Sequence, residues 1–594
     1  MKRLTVLLVV FGMFCTLPGT LHAGRKTKET PVNKPVSDDD LLKARPEVVE
    51  FWKDMRFGMF LCWGPVSLTG KEIGWSRGAP QWGRRPGVRG GRGKTDARIY
   101  DSLYKKWVPD KFDAEHWVKL AKEAGMKYMI FLVKHHDGFC LYDTKLTDYK
   151  STGPESAWKV DVMKHVADAC HKHNIKLMIY YSQPDWHHPD YLGENHDRYI
   201  KYLHGQIREL LTGYGKIDGL WFDNLRPVHP NTAKLWNAEK LFKMARSIQP
   251  NLIINNRCGL PGDFDTPEQS IRGFEFDRPW ESCVTLGTQW SWKPDDSIKS
   301  LKECIDILVT CAGRGGNLAL NTNPMPDGRI EARQALRFRQ IGRWMSKYGE
   351  SIYGTRGGPY VMKTWGTRFK DTNRSSDPSR RPWGVTTRKG KSLYVHVLNW
   401  SREVIDLPAI DFKLISYRTL TGGKAKVAQA DEVLTISVVA EHRDPLDTII
   451  ELKFDRSLDG IAPIFAGKRS LAFGCKAKAS GIWPKPKFDA ALAFDGDTGT
   501  RWGGAPNSKA GWLMVDLTKP KTFSRVWISE AYDRIQKFEL QEQKNGKWRT
   551  FYTGTTIGQD FNAEFEPVTT RYVRLNILAA TDVPTIWEVQ LFTE

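Results

Sequence analysis

Short apolar runs recur through the first 350 residues. Phe57-Gly58-Met59-Phe60-Leu61, the segments 128–133 and 176–181, Leu220-Trp221-Phe222 and Leu252-Ile253-Ile254 are nearly free of polar residues. Such runs are the mark of strands buried on both faces of a parallel sheet. Between them lie segments with apolar residues at helical spacing, at 112–124, 162–173, 197–212 and 232–247. Strand, helix, strand in this rhythm predicts parallel βαβ units, and five or more of them predict a closed (β/α) barrel over 45–350. An open doubly wound sheet is the competitor, but no glycine-rich phosphate loop follows the first run.

Polar groups close almost every run. Trp63-Gly64 follows the first, His135-His136-Asp137 the second and Gln183-Pro184-Asp185-Trp186 the third. Asp223-Asn224 ends the fourth and Asn255-Asn256-Arg257 the fifth. One such ending is an ordinary helix cap. A whole series predicts a shared rim at the carboxyl ends of the strands, where barrels carry their chemistry. From 351 to 455 the pattern changes to short strands with turn residues, predicting a β-sandwich. A further β-rich unit covers 460–594. The fold class is therefore α/β, with a barrel followed by two β units.

The length of 594 residues agrees with several domains rather than one core. Residues 1–23 read as a secretory signal: Lys2 and Arg3, an apolar core over 4–15, and Leu21-His22-Ala23 as the cleavage site. A polar linker over 24–44 follows. The apolar core is too short to span a membrane and no later segment approaches the length, so a secreted or periplasmic protein is expected. Eight cysteines follow the signal, without paired or zinc spacing, and buried free thiols are expected although export permits disulfides. The net charge is +21, and the six arginines at 77, 84, 85, 89, 92 and 98 lie largely among glycines. Arginine forks suit sulfate; charge runs are more often a solvated face. With no nucleic-acid motif, a sulfated or acidic polysaccharide suits the charge better than nucleic acid.

Glycoside hydrolysis needs two carboxyl groups beside the bond and polar side chains for the hydroxyls. The rim offers Asp223, Glu268, Glu275 and Glu281, two histidines, Arg257 and several tryptophans. Trp186, Trp290 and Trp292 suit apolar sugar faces or plain packing equally. Metal binding by His135-His136 is disfavoured, because neighbours on an extended strand point to opposite faces. No serine elbow or dinucleotide fingerprint is present.

Lys134-His135-His136-Asp137-Gly138-Phe139, Tyr180-Tyr181-Ser182, Leu220-Trp221-Phe222-Asp223, Asn255-Asn256-Arg257 and the segment 315–321 together resemble the α-L-fucosidases of glycoside hydrolase family 29. The resemblance implies an exo-acting, retaining hydrolase that releases terminal α-L-fucose from oligo- or polysaccharides without a catalytic cofactor. It implies Asp223 as nucleophile, His135 and His136 as sugar ligands and Arg257 within the sugar-binding set. Glu268 is the matching acid/base, with Glu281 the alternative and Glu275 third. Trp63, Tyr181, Trp290 and Trp292 complete the expected substrate contacts, and Glu72 and Trp75 resemble the family's Glu-Trp loop. Cys62-Trp63-Gly64 departs from the usual His-Trp-Gly. Cysteine at 62 keeps open an α-L-galactosidase, acting on galactans that include sulfated ones, and a glycan-binding protein without turnover. The C-terminal unit resembles a discoidin-like jelly roll of the carbohydrate-binding family 32 kind. That resemblance implies a structural calcium held by Asp495, Asp497, Thr500 and Glu588; hydrogen bonds alone are the alternative closure of that turn.

Overall fold

The computed structural model describes residues 40–593 apart from 79–92, 225–227, 363–382, 401–402, 431–432, 467–469, 485–487, 497–499 and 559. Seven parallel strands form the first sheet: β1 (Phe57–Leu61), β2 (Tyr128–Lys134), β3 (Lys176–Ser182), β4 (Gly219–Asp223), β5 (Ile253–Ile254), β6 (Glu281–Thr285) and β7 (Asn317–Thr322). Their spatial order is β5-β4-β3-β2-β1-β7-β6, which leaves a gap between β5 and β6. An irregular stave fills it. Asn255 bridges Phe264, Asp265 bridges Trp280 and Glu268 bridges Cys283, each in parallel. The segment 264–268 thus runs between β5 and β6 and ends at Glu268.

Strand parity sorts the apolar side chains into two cores. Phe60, Cys62, Ile130, Leu132, Met178, Tyr180, Trp221, Phe264 and Cys283 cluster inside the barrel. Met59, Leu61, Phe131, Val133, Ile179, Tyr181, Leu220 and Phe222 point outward and pack with the surrounding helices. Complete burial of such side chains is worth about 1.5–3 kcal/mol each, so a one-residue slip would forfeit both cores together. The helices are placed by their caps. Asp113 accepts from the His116 N–H before helix Ala114–Glu123, and Asp161 does the same for Lys164 before Val162–His173. Ser300 and Glu303 form a capping box on Leu301–Gly313.

Beyond the barrel, a five-stranded and a three-stranded antiparallel sheet enclose a core of Leu393, Val395, Ile405, Leu434, Ile436 and Leu452. Val385, Tyr394 and Ile449 of this sandwich join the outer core of the barrel. The C-terminal sheet is antiparallel and built on two long strands, Gly511–Glu530 and Phe561–Ala580, with Trp502, Phe523 and Phe538 in its core. The eight described cysteines are all unpaired, seven of them buried. Among the described residues no helix is long and apolar enough to cross a membrane.

Candidate active site

Asp223 is the last residue of β4, and its side chain is largely buried. Three partners hold it. Arg257 donates through Nη1 to Oδ1 at 2.8 Å, Tyr180 donates its hydroxyl to Oδ2 at 2.6 Å, and His136 Nε2 lies 3.5 Å from Oδ2. Burial works against the charged carboxylate, but the Arg257 guanidinium and the Tyr180 bond outweigh it and hold the pKa at about 2. The group is therefore an ionised carboxylate at neutral pH. Replacing Tyr180 with Phe removes one hydrogen bond to a charged acceptor, a cost of about 1.5–3 kcal/mol. A loss of about 10- to 150-fold in kcat/KM is expected from steady-state rates. An unchanged value would mean that the hydroxyl does not support the reacting carboxylate.

Arg257 spans the site. Its Nη2 reaches Glu268 Oε2 at 3.1 Å while Nη1 holds Asp223, and its Nε donates to Thr266 Oγ1 at 2.9 Å. The guanidinium also lies over the Trp221 ring, 4.7 Å from its centroid. One planar fork thus joins the carboxylate at the end of β4 to the carboxylate at the end of the irregular stave. Glu268 is half exposed, and Trp290 donates its indole N–H to the other carboxylate oxygen at 3.1 Å. Burial keeps both His135 and His136 neutral, with His136 pushed down to about 4.

These groups line a cavity of about 340 Å³ together with Phe60, Cys62, Trp75, Leu132, Trp221, Asn224 and Cys283. Of the residues expected from sequence, Asp223, Glu268, His135, His136, Arg257, Cys62, Trp75 and Trp290 meet here. Others lie elsewhere, for reasons of geometry. Trp63 is one residue past the inward Cys62 and faces out; its indole donates to the Met325 carbonyl among Trp107, Phe112 and Trp117. Tyr181 likewise faces out and donates to Gln206 on helix His196–Gly213. Glu72 stands behind the wall, accepting the backbone N–H of Trp290 and of Ile73. Burial raises its pKa to about 7, with those bonds opposing the shift. Trp292 is half-buried and outside the lining, and Glu275 accepts the backbone N–H groups of Asp277 and Arg278.

Glu281 opens β6 and points into the barrel two residues below Cys283, about 7 Å deeper at the usual strand rise. It is fully buried and bonded to Tyr128 and to the Trp221 indole. Burial raises its pKa to about 7 against the pull of those two bonds. A carboxyl whose folded pKa is raised adds stability below its unfolded value near 4.5, and that stability is lost as pH rises through about 7. Glu281→Gln should therefore flatten the pH dependence of the melting temperature between about pH 4.5 and 8, by about 3 kcal/mol in total. A melting series showing the same slope in both proteins would contradict this.

Pattern reading assigned no place in the pocket to Phe60, Leu132, Tyr180, Trp221 and Cys283, whereas Asn224 was expected on the rim and lies in the lining. A signal for most of the five was present. Counting back by two from Asp223 gives Trp221, whose partner across the β3–β4 ladder is Tyr180.

Comparison with known proteins identifies the arrangement. The alpha-L-fucosidase family model matches residues 25–350. The chain belongs to the α-L-fucosidase family. An F5/8 type C domain model matches 476–589. α-L-Fucosidase isoenzyme 1 from Paenibacillus thiaminolyticus is 31% identical with a TM-score of 0.56, covering 69% of this chain and 99% of that one. Tissue α-L-fucosidase from Homo sapiens is 26% identical over 405 residues, 62% of this chain and 79% of the relative. A family 29 α-L-fucosidase from Bacteroides thetaiotaomicron, trapped as a covalent intermediate with 2-fluoro-fucosyl fluoride, is 25% identical with a TM-score of 0.55, covering 69% and 97%. A covalent intermediate is the signature of a retaining mechanism. Membership of this family favours α-L-fucoside hydrolysis over the galactosidase and glycan-binding readings that Cys62 had kept open.

In the C-terminal sheet, Thr500 donates to Asp495 Oδ2 at 2.7 Å and the buried Glu588 accepts the Gly496 N–H. Three of the four expected calcium ligands are thus gathered at one turn; Asp497 lies outside the described residues. Of the arginine-rich loop, Arg77 is buried in a bidentate pair with Asp101 and Arg98 is an exposed partner of Asp96. Arg84, Arg85, Arg89 and Arg92 lie outside the described residues.

Proposed function

We propose that the chain is an exo-acting α-L-fucosidase that releases terminal α-L-fucose by double displacement, with Asp223 as nucleophile and Glu268 as acid/base. The observation that carries the assignment is the Arg257 fork, which bonds both carboxylates at the carboxyl ends of two staves. Asp223 attacks the anomeric carbon while Glu268 protonates the departing oxygen. Glu268, now a carboxylate, then takes a proton from water as it attacks the fucosyl-enzyme, and the α-configuration is restored. His135 and His136 offer ring nitrogens to the sugar hydroxyls, and Trp75 and Trp290 flank the ring. A cavity of about 340 Å³ is at the small end for ligand sites and suits one terminal sugar.

Hydrolysis of nitrophenyl α-L-fucoside, followed by proton NMR of the first anomer released, tests this reading. The α-anomer is expected first, and the L-galactoside should react far more slowly. Release of the β-anomer, or no turnover of either glycoside, would end it.

The N-terminal signal supports export from the cytoplasm. The excess of positive charge supports action on anionic glycans, sulfated ones included, and predicts binding that weakens steeply with salt. Calcium suits the C-terminal turn because the side chains of Asp495, Thr500 and Glu588 offer only oxygen. At about 100 times its Kd, the ion would add about 2.7 kcal/mol to the stability of that unit. Calorimetric scans should show a lower transition after EGTA, restored by Ca²⁺. Identical scans with and without chelator would leave hydrogen bonds as the sole closure.

A further inference from the structure

The rim that carries the nucleophile also presents a metal-ligand set. His135, His136 and Asp223 each offer one ligand atom, and these atoms all lie within 4.8 Å of one another. Strand alternation argues against adjacent histidines sharing an ion, but the two residues lie beyond the end of β2. The ladder with β3 shifts register between Leu132 and Lys134, and the two rings follow on one side with centroids 4.2 Å apart.

Hydrogen-bond directions place a proton on Nδ1 of His136. Ser182 donates its hydroxyl to the Pro184 carbonyl at 2.6 Å, so its oxygen accepts from Nδ1–H of His136, also at 2.6 Å. A neutral imidazole with its proton on Nδ1 has a bare lone pair on Nε2. That nitrogen faces Asp223 Oδ2 at 3.5 Å, the oxygen that also accepts the Tyr180 hydroxyl. Tetrahedral zinc with bonds of about 2.1 Å to nitrogen and oxygen has ligand–ligand edges of about 3.4 Å, close to this separation. The Ser182 contact is the outer hydrogen bond that orients metal-ligating histidines. His135 Nδ1 is buried without a partner among the described residues, and its ring is held in place by stacking on Tyr180 with centroids 5.8 Å apart.

We propose that His135, His136 and Asp223 form a Zn²⁺ site in the floor of the pocket, occupied in competition with the sugar. Two imidazoles and one carboxylate leave a fourth position open to the cavity, and imidazole selects zinc or copper over magnesium and calcium. Zinc there takes the carboxylate lone pair that would attack the substrate, so the bound form is inactive. The inhibition rests on the proposed function; the binding does not.

Equilibrium dialysis of the full chain against Zn²⁺ with elemental analysis, and visible spectra of the Co²⁺ form, test the site directly. The expected result is one competent ion per chain with tetrahedral Co²⁺ absorption. Affinity should fall at least about tenfold in His135→Ala and in Ser182→Ala, which loses the orienting contact. Zinc should raise the melting temperature of wild type but not of His135→Ala, which also checks that the variant is folded. L-Fucose should expel the metal, and zinc should inhibit fucoside hydrolysis competitively. Equal zinc uptake by wild type and both variants would put the metal elsewhere and overturn the proposal. Were fucosides not turned over at all, the metal analysis and the spectra would still decide the site.

Discussion

Asp223→Gly should lose about 10⁴-fold or more in kcat on nitrophenyl α-L-fucoside, the scale seen when a catalytic nucleophile is removed. The loss should be recovered in part by azide. Removing the side chain opens a space between Arg257, Tyr180 and His136 on the face opposite the leaving group, and a small anion can enter there. Attack from that side inverts the centre once, so the product is β-L-fucosyl azide, identifiable by its anomeric proton coupling. An inactive variant with no azide product would show only that the residue matters. Formation of the α-azide would place the nucleophile elsewhere. Binding of L-fucose should survive, since the remaining walls of the pocket are intact.

The second large effect separates two glutamates. Glu268→Gln should lower kcat by about 10²–10⁴-fold on substrates with poor leaving groups, and much less on activated aryl fucosides, which depart without a proton. Azide added to Glu268→Gly should yield the α-azide, because it attacks a fucosyl-enzyme already inverted once. Glu281→Gln keeps the acceptor for the Trp221 indole and an amide for Tyr128, so kcat should stay within a few-fold of wild type. The reverse outcome, with Glu281→Gln crippled and Glu268→Gln active, would transfer the acid/base role to the barrel interior. Physical grounds argue against that transfer. Glu281 is fully buried and bonded to Tyr128 and Trp221, whereas Glu268 is half exposed in the pocket wall. A residue that exchanges protons with both a leaving group and water needs such access.

Legibility from sequence differed by residue. Asp223 stood out because an apolar run ends in a carboxylate, and the series of polar endings and the motif resemblance set it apart from a helix cap. His135, His136 and Arg257 were found through polar strand endings and motif resemblance. Trp63 and Tyr181 were placed one residue off, with Cys62 and Tyr180 the inward members of each pair. Alternation was visible, but its phase depends on which neighbour faces the helices. The two histidines show the opposite error. Strict alternation set them apart, and the register shift at the end of β2 brought their rings together.

The sequence by itself determined the barrel, the rim and the place of Asp223 on it, since burial on both faces of a strand and its polar ending are written within a few consecutive residues. Tertiary structure decided which glutamate faces Asp223. The irregular stave closing the barrel has no strand-like pattern. Its pairing of Glu268 with Cys283 sets Glu268 at the rim and leaves Glu281 two residues lower on the same inward face. That difference of about 7 Å in height comes from closing a sheet between distant segments. Neighbouring residues along the chain carry no record of it.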